Sequence, residues 1–168
     1  PLSFIGSLKK ANWNYYFYDF LKQKRLLDTL LAPFKSDVER LAAKPTDIID
    51  HGCLLWNIFH HVILDYQKRY PSWIFLKYED IAANPLLEFI KLFDYLGLKM
   101  NKKISTYIDE YSSQKNPNDR DSTKYGPRNA KACVDNWKIR LTSKEIIRVT
   151  STTHEIARKF YNKFPFVG

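Results

Sequence analysis

The positive charge of this sequence is concentrated in one segment. Between residues 115 and 144, eight basic residues stand against three acidic ones, a net +5 out of the chain's total of +9. Arg can donate two parallel N–H groups to phosphate oxygens and Lys adds a point charge, so such a segment can close over a phosphate. A solvated basic loop is the alternative, and composition alone leaves both open. The eight bases are Lys115, Arg120, Lys124, Arg128, Lys131, Lys138, Arg140 and Lys144.

Motifs that mark a self-contained active site do not occur in the sequence. It has no Gly-x-x-x-x-Gly-Lys phosphate loop, no Gly-x-Gly-x-x-Gly turn and no Gly-x-Ser-x-Gly elbow. His60 and His61 would point about 100° apart on a helix, so they cannot bind one metal by themselves. Cys53 and Cys133 form neither a disulfide framework nor a zinc quartet, and we expect a reducing, cytoplasmic location. We therefore assign neither a catalytic residue nor a metal site.

Composition limits the class of protein. The chain has 168 residues, enough for one domain, and its 45% hydrophobic and 15% aromatic residues exclude a disordered tail. A net charge of +9 favours an anionic partner such as a nucleotide, a sulfated molecule, nucleic acid or a membrane surface. No apolar run is long enough to predict a transmembrane segment.

The first half of the chain is predicted to be helical. We expect helices over residues 4–10 and 18–31, and a longer one over residues 46–69 with Thr46 as its N-cap. Over residues 3–31, aromatic residues lie among basic ones. This pattern is typical either of a nucleic-acid stacking surface or of amphipathic core helices with a solvated basic face.

The second half begins with a predicted strand. Residues 73–78 form a short apolar run without alternation, which is typical of a strand buried on both faces of a parallel sheet. Asn84 and Pro85 start a further helix, and residues 112–128 are predicted to be a loop. The succession of helix, buried strand and helix predicts an α/β layered fold.

One strand does not make a sheet, so we expect the sequence to be part of a longer one. A central parallel strand needs neighbours on both sides to pair its backbone N–H and C=O groups, and no second strong strand is evident. Met100 is the only methionine, and the chain begins with Pro1. We therefore expect further sequence upstream of Pro1.

Three blocks of the sequence, in this order, resemble the sulfotransferases that use 3′-phosphoadenosine 5′-phosphosulfate (PAPS). The likeness extends from Pro1 to about Tyr161. The blocks are Pro1-x-x-x-x-x-Ser7-Leu8-Lys9, then Leu76-Lys77-Tyr78-Glu79-Asp80-Ile81 with Asn84-Pro85 and Phe93-Asp94-Tyr95-Leu96-Gly97-Leu98, then Arg128-x-x-Lys131-Ala132-x-x-x-Asn136-Trp137-Lys138-x-x-Leu141-Thr142-x-x-Glu145.

The resemblance implies a fold and four cofactor-binding residues. The fold is a parallel sheet flanked by helices, related to the P-loop nucleotide kinases, and residues 1–168 would be a single domain, the C-terminal portion of a sulfotransferase. Ser7 matches the Ser that binds the 3′-phosphate with an Arg, which would lie two residues before Pro1. Tyr78 matches the Tyr near the adenine. Arg128 and Lys131 match the late basic loop that closes over the 3′-phosphate, although the Arg-Lys-Gly triplet of cytosolic members is absent.

The resemblance also implies an activity, a PAPS-dependent transfer of a sulfuryl group to an acceptor hydroxyl or amine. This chain would supply the 3′-phosphate and adenine side of the site, with adenosine 3′,5′-bisphosphate as product. The family's phosphosulfate loop, catalytic Lys and acceptor-activating base lie upstream of the matched blocks, within the rest of a longer polypeptide. A polyketide-type hydroxyl, a sugar, a peptide tyrosine or a small alcohol would all fit as acceptor. The alternative from a different class is a noncatalytic basic helical module that binds nucleic acid, which the resemblance disfavours.

Overall fold

Helices make up the secondary structure of the computed structural model, which describes residues 1–44, 47–114 and 126–161. Within these ranges there are eleven α-helices, one 3₁₀ turn at Ala32–Phe34 and no strand. The α-helices are α1 Leu2–Ala11, α2 Tyr18–Leu21, α3 Lys24–Asp28, α4 Lys35–Ala43, α5 Ile48–Arg69, α6 Tyr78–Ala83, α7 Pro85–Tyr95, α8 Lys102–Ser113, α9 Ala130–Cys133, α10 Trp137–Arg140 and α11 Ser143–Ala157.

The predicted parallel sheet is wrong, because the described residues contain no strand. Residues 74–77 belong to no helix or strand, although Lys77 has the extended dihedrals φ −87° and ψ 134°. A strand exists only where a second strand pairs with its backbone, and the described part of the chain offers none. Trp73 and Leu76 are 53% and 46% exposed instead of buried on both faces of a sheet. The apolar run therefore gives extended chain that leads into α6.

The structure divides into two compact units. The first unit comprises residues 1–73 and the chain from Trp137 onward, so it contains α1–α5, α10 and α11. The second unit is Ile74–Asn136, which contains α6–α9.

Helix α5 is the centre of the first unit and is buried on two sides. On one side, Leu54, Leu55 and Ile58 pack with side chains of the segment that runs from Phe17 through α4. On the other side, Ile49 and Cys53 pack with residues of α1 and α11. A helix that is apolar on two sides can join both groups of helices into one core.

The start of α5 is fixed by a charged cap. The Asp47 carboxylate accepts hydrogen bonds from the backbone N–H groups of Ile49 and Asp50, both at 3.1 Å, and from the Arg148 guanidinium. These bonds satisfy donors that the first turn of a helix leaves without partners. The predicted cap, Thr46, lies outside the described residues, and the observed cap is Asp47.

The single helix predicted over residues 18–31 is wrong, because the chain forms α2 and α3 with turns after each. In an α-helix, the Asp19 carbonyl would accept from the backbone N–H of Gln23, but it accepts from the Gln23 side chain at 3.4 Å. Likewise, the Arg25 carbonyl accepts from the Thr29 hydroxyl at 2.7 Å. Side chains that take these carbonyls compete with the helical ladder and stop it.

Two glycines let α1 approach its neighbours closely. A Cβ atom on Gly52 of α5 would lie 2.9 Å from Cγ1 of Ile5, and one on Gly6 would lie 3.3 Å from Cα of Trp137. The first distance is shorter than real Cβ contacts, so a side chain at Gly52 would displace α1. Gly6 places α1 directly against α10, which determines the surroundings of the next residue, Ser7.

The second unit is more loosely built. Ala82 is its one buried residue within the part of the chain that the structure describes. Helix α7 begins at Pro85 after Asn84, as predicted. The sequence analysis missed α8, whose N-cap Asn101 accepts from the backbone N–H of Ile104 at 3.0 Å. Helix α8 extends to Ser113 into the predicted loop, of which residues 115–125 lie outside the described ranges.

Candidate functional site

The second unit contains a cavity of about 340 Å³ between its helices. Two of the four residues assigned to cofactor binding, Tyr78 and Arg128, line it together. The lining residues are Tyr78, Ile81, Pro85, Phe89, Tyr107, Ile108, Tyr111, Ser112, Gly126, Arg128, Ala130 and Cys133.

Tyr78 reaches the cavity because it is the first residue of α6. Lys77 has extended dihedrals and precedes the helix, so the chain changes direction at this point. Tyr78 lines the cavity and is 51% exposed. An aromatic ring with an open face can stack against a planar base.

Arg128 is held at the other side of the cavity by its backbone. Its N–H donates to the Tyr111 carbonyl at the end of α8, at 2.9 Å. The following residue, Asn129, caps α9 by accepting from the backbone N–H of Ala132 at 3.0 Å. These two bonds fix Arg128 between α8 and α9, and its side chain is half-buried.

The cavity combines aromatic rings with one cation. Tyr107 and Tyr111 stack on α8 with ring centroids 5.2 Å apart, and Phe89 faces the cavity from α7. Of the described residues that line the cavity, Arg128 alone is charged. A largely apolar pocket with one guanidinium suits a planar ring that carries an anionic group.

Lys131 lies beside the cavity but does not line it. It is an exposed residue of α9, between the lining residues Ala130 and Cys133. The described structure therefore brings Tyr78 and Arg128 together and leaves Lys131 on the outer face of α9.

Ser7 lies in the first unit, on α1, and has a neighbour that the sequence analysis did not single out. The Ser7 hydroxyl donates to the Ser3 carbonyl at 2.8 Å and accepts from Nη1 of Arg140 at 3.1 Å. The hydroxyl is exposed, while Arg140 is half-buried at the end of α10. Arg140 was one of the eight bases of the basic segment, and nothing in the sequence paired it with Ser7.

A second polar contact fixes α1 against α11. Oε2 of Glu145 accepts from Nζ of Lys9 and from the backbone N–H of Thr142, both at 2.7 Å. Thr142 and Glu145 also form a capping box, which the Thr142-x-x-Glu145 spacing in the sequence predicts and the structure confirms. Burial raises the pKa of Glu145, but the hydrogen bonds from Lys9 and Thr142 outweigh it and hold this pKa below its ordinary value.

His60 has the surroundings of a structural histidine. Its ring stacks on Trp56 with centroids 3.7 Å apart, and Nδ1 lies 2.9 Å from the Trp56 carbonyl. Burial lowers the pKa of His60 to about 4, so the ring is neutral at physiological pH. In residues 1–44, 47–114 and 126–161, no three His, Cys, Asp or Glu side chains group as metal ligands.

The two cysteines, Cys53 and Cys133, are not joined in a disulfide. Burial is the largest influence on Cys53 and raises its pKa to about 12, which makes this thiol unreactive.

None of the helices in the described part of the chain is both long enough and apolar enough to cross a membrane.

Comparison with known proteins places the chain in a family. The model of the sulfotransferase domain matches residues 10–161, and the chain belongs to this family. The resemblance to sulfotransferases is thus confirmed. The second and third sequence blocks lie within the matched range, and the first block precedes it. The matched range includes Tyr78, Arg128 and Lys131, whereas Ser7 precedes it.

A curated relative and the solved structures were also compared. Carbohydrate sulfotransferase 1 of Danio rerio is 30% identical over 89 residues. The match covers 49% of this chain and 20% of that protein, so the chain spans only a small part of its relative. No solved structure matches the chain significantly.

Proposed function

We propose that this chain binds PAPS and contributes the adenine and 3′-phosphate side of a sulfotransferase active site. Membership of the sulfotransferase family supports the transfer of a sulfuryl group. The choice of PAPS as the donor is taken from the resemblance of the three sequence blocks. The observation that carries the proposal is the cavity of the second unit. It is lined by both Tyr78 and Arg128, which are far apart in sequence and which the resemblance assigns to the adenine and to a phosphate.

The roles of the residues in the second unit are taken from the resemblance, and the cavity supports them. Tyr78, which lines the cavity and is 51% exposed, would stack on the adenine, and the guanidinium of Arg128 would bind the phosphate with two parallel N–H groups. Lys131, exposed on α9, adds a positive charge directly after the lining residue Ala130. For Ser7, an exposed residue of the first unit, the assignment to the 3′-phosphate rests on the resemblance alone.

The reaction needs binding groups and a base. The S–O bond to the bisphosphate breaks while the S–O bond to the acceptor forms, and the acceptor's proton passes to a base. Fixed cations and correct positioning supply much of such catalysis, because negative charge is spread over the transferred group. We assign binding and positioning to the residues named above, and no residue to the base.

The acceptor that we propose is a carbohydrate hydroxyl. The name of the curated relative, a carbohydrate sulfotransferase, supports this class over a peptide tyrosine or a small alcohol. The cytoplasmic location stays a prediction.

Calorimetric titration of the purified chain tests the proposal. We expect adenosine 3′,5′-bisphosphate to bind at least about tenfold more tightly than 5′-AMP, because hydrogen bonds to a charged group typically contribute about 1.5–3 kcal/mol each. Arg128→Lys should weaken bisphosphate binding by about three- to tenfold, since Lys cannot provide the two-pronged donor. Lys68→Gln, at an exposed site of α5, serves as the charge control.

Two results would contradict the proposal. The first is equal affinity of the parent chain for the two nucleotides. The second is tight binding of oligonucleotides with a steep loss of affinity in salt and no mononucleotide preference, which is the behaviour of a nucleic-acid-binding module.

A further inference from the structure

We propose that Trp13, Tyr16 and Tyr18 form a carbohydrate-binding surface of the first unit, whose exposed rings bind the sugar chain of the acceptor. These three side chains are called the aromatic surface below. The inference rests on the proposed function, which names a carbohydrate as the acceptor. It assigns residues to that acceptor, and none of them belongs to the three sequence blocks.

The aromatic residues between α1 and α2 are divided between the core and the surface. Phe17 and Phe20 are buried in the cluster that contains part of α5, with ring centroids 6.0 Å apart, and Tyr15 packs against both rings. The three rings of the aromatic surface are instead 65%, 78% and 60% exposed, in chain order. Core packing therefore explains the first set of rings and does not explain the second. Adjacent exposed aromatic rings are typical of an interaction site.

The backbone that carries the aromatic surface is fixed on both sides. Asn12 ends α1 in the left-handed conformation, with φ 50° and ψ 41°, and the N–H of Trp13 donates to the Leu8 carbonyl at 3.0 Å. The Tyr16 carbonyl accepts from the backbone N–H of Asp19 at 3.1 Å, at the start of α2. With the buried rings between them, these bonds give the surface its shape before a ligand binds. A preformed site loses less freedom on binding.

The chemistry of these side chains suits a sugar. A pyranose ring has apolar C–H groups on its faces and hydroxyls around its edge, so it can lie on an aromatic ring while its hydroxyls bond to polar groups. Trp and Tyr combine an apolar ring with a polar N–H or O–H. Asn12 and Asn14 are exposed neighbours, and their amides can both donate to hydroxyls and accept from them.

The charge of this stretch favours an uncharged ligand. Residues 12–22 contain two charged side chains, Asp19 and Lys22, which pair with each other at 2.8 Å. The next bases, Lys24 and Arg25, belong to α3. Nucleic acid binds chiefly through cations that contact its phosphates, and a nearly neutral surface lacks them. In a chain of net charge +9, the aromatic surface thus matches a neutral sugar better than a nucleic acid.

An NMR titration of the full chain tests the inference. The indole N–H of Trp13 gives one of four Trp signals, and Trp13→Phe identifies it. The probes are three uncharged oligosaccharides, namely cellotetraose, chitotetraose and galactotetraose. We expect at least one of them to shift the Trp13 signal with a dissociation constant of about 1 mM or lower. Its affinity should be the same at low and high salt, because the ligand is uncharged.

Variants show whether the rings make the contact. Trp13→Ala and Tyr16→Ala should each weaken binding of that oligosaccharide at least about fivefold, because each removes a ring from the surface. Their thermal midpoints should match that of the parent, since both side chains are exposed. Tyr18 is left in place because Nζ of Lys22 lies 5.1 Å from its ring centroid. Tyr95→Ala is the matched control, because Tyr95 is 63% exposed and belongs to the second unit. It should bind like the parent.

Four results would overturn the inference. The first is a Trp13 signal that none of the three oligosaccharides shifts, and the second is parental affinity in both alanine variants. The third is a signal that a single-stranded oligothymidylate shifts and the oligosaccharides do not, which would identify a nucleic-acid surface. The fourth is a signal that shifts with the concentration of the chain alone, which would identify a contact between copies of the chain.

Titration with adenosine 3′,5′-bisphosphate separates this inference from the proposed function. Trp13→Ala should bind the bisphosphate like the parent, because the aromatic surface is assigned to the acceptor and not to the donor. If the parent prefers the bisphosphate to 5′-AMP and no oligosaccharide binds, the assignment of the donor stands and this inference is overturned. If an oligosaccharide binds to the aromatic surface and the parent does not distinguish the two nucleotides, the assignment of PAPS fails and the carbohydrate-binding surface stands.

Discussion

The first unit is built around buried side chains and the second around an open cavity. In the first, α5 connects clusters in which Ile5, Phe17 and Val149 are at most 1% exposed. In the second, Ala82 alone is buried among the described residues, and aromatic rings line a cavity of about 340 Å³. The match to the sulfotransferase family, over residues 10–161, includes residues of both units.

The two units hold their candidate residues in place by different means. Ser7 and Arg140 are held by close helix packing, in which a Cβ atom on Gly6 would lie only 3.3 Å from Cα of Trp137. Tyr78 and Arg128 lie instead at the starts of short helices, and Arg128 is fixed by its backbone hydrogen bond to Tyr111 and by the Asn129 cap of α9. We therefore expect core substitutions to cost stability in the first unit and ligand affinity in the second.

The largest expected effect comes from a matched pair of Phe→Ala substitutions. Phe17→Ala, at a side chain that is 1% exposed, should lower the free energy of unfolding by about 3–5 kcal/mol. Phe89→Ala, at a half-buried position that lines the cavity, should cost much less stability and should weaken bisphosphate binding. Urea unfolding and calorimetry measure the two quantities. An equal loss of stability in the two variants would show that the units do not differ as described.

A smaller effect is expected from adding a single methyl group. Gly52→Ala places Cβ 2.9 Å from Ile5, and such overpacking typically costs about 1–3 kcal/mol, part of which the better helix propensity of Ala offsets. The expected net loss of unfolding free energy is about 1–2 kcal/mol. Gly126→Ala is the control from the second unit, because no atom lies within 4 Å of the added carbon. If both variants unfold at the same urea concentration as the parent, α1 and α5 are not closely packed at this point.

Where a short sequence motif caps a helix, that motif predicted the start of the helix correctly. The Thr142 and Glu145 capping box requires only residues three positions apart, and it gave the start of α11 correctly. The Asn84-Pro85 pair likewise gave the start of α7. The parallel sheet was wrong because a strand depends on a partner elsewhere, which residues 73–78 cannot specify by themselves.

The candidate site, like the fold, was predictable from the sequence only in part. The family resemblance selected Tyr78 and Arg128, which line one cavity, whereas periodicity gave no indication that they are close. The contact of Arg140 with Ser7 was missed because it depends on the packing of α10 against α1, and no local motif reports that packing. The sequence placed both residues near positive charge but could not pair them.

The smallest effect that we predict is a pH-dependent loss of stability in the first unit, at the contact between α1 and α11. The hydrogen bonds from Lys9 and Thr142 hold the pKa of Glu145 below its ordinary value, against the opposing effect of burial. A carboxyl whose pKa is lower in the folded state stabilises that state above its unfolded pKa, and this contribution is lost as the pH falls through the folded pKa. Glu145→Gln should therefore lower the free energy of unfolding at pH 7 by about 1 kcal/mol, and the difference from the parent should shrink in acid.

Urea unfolding of the parent and the variant between pH 7 and pH 3 measures this difference directly. Other carboxyls, such as Asp47, titrate in both proteins, so their contribution cancels when the two curves are subtracted. Glu155→Gln is the control, because the Glu155 side chain is 74% exposed and its pairing with Arg158 lies on the surface, where ion pairs contribute little. A difference between parent and Glu145→Gln that stays constant down to pH 3 would mean that the charge of Glu145 does not stabilise the contact between α1 and α11.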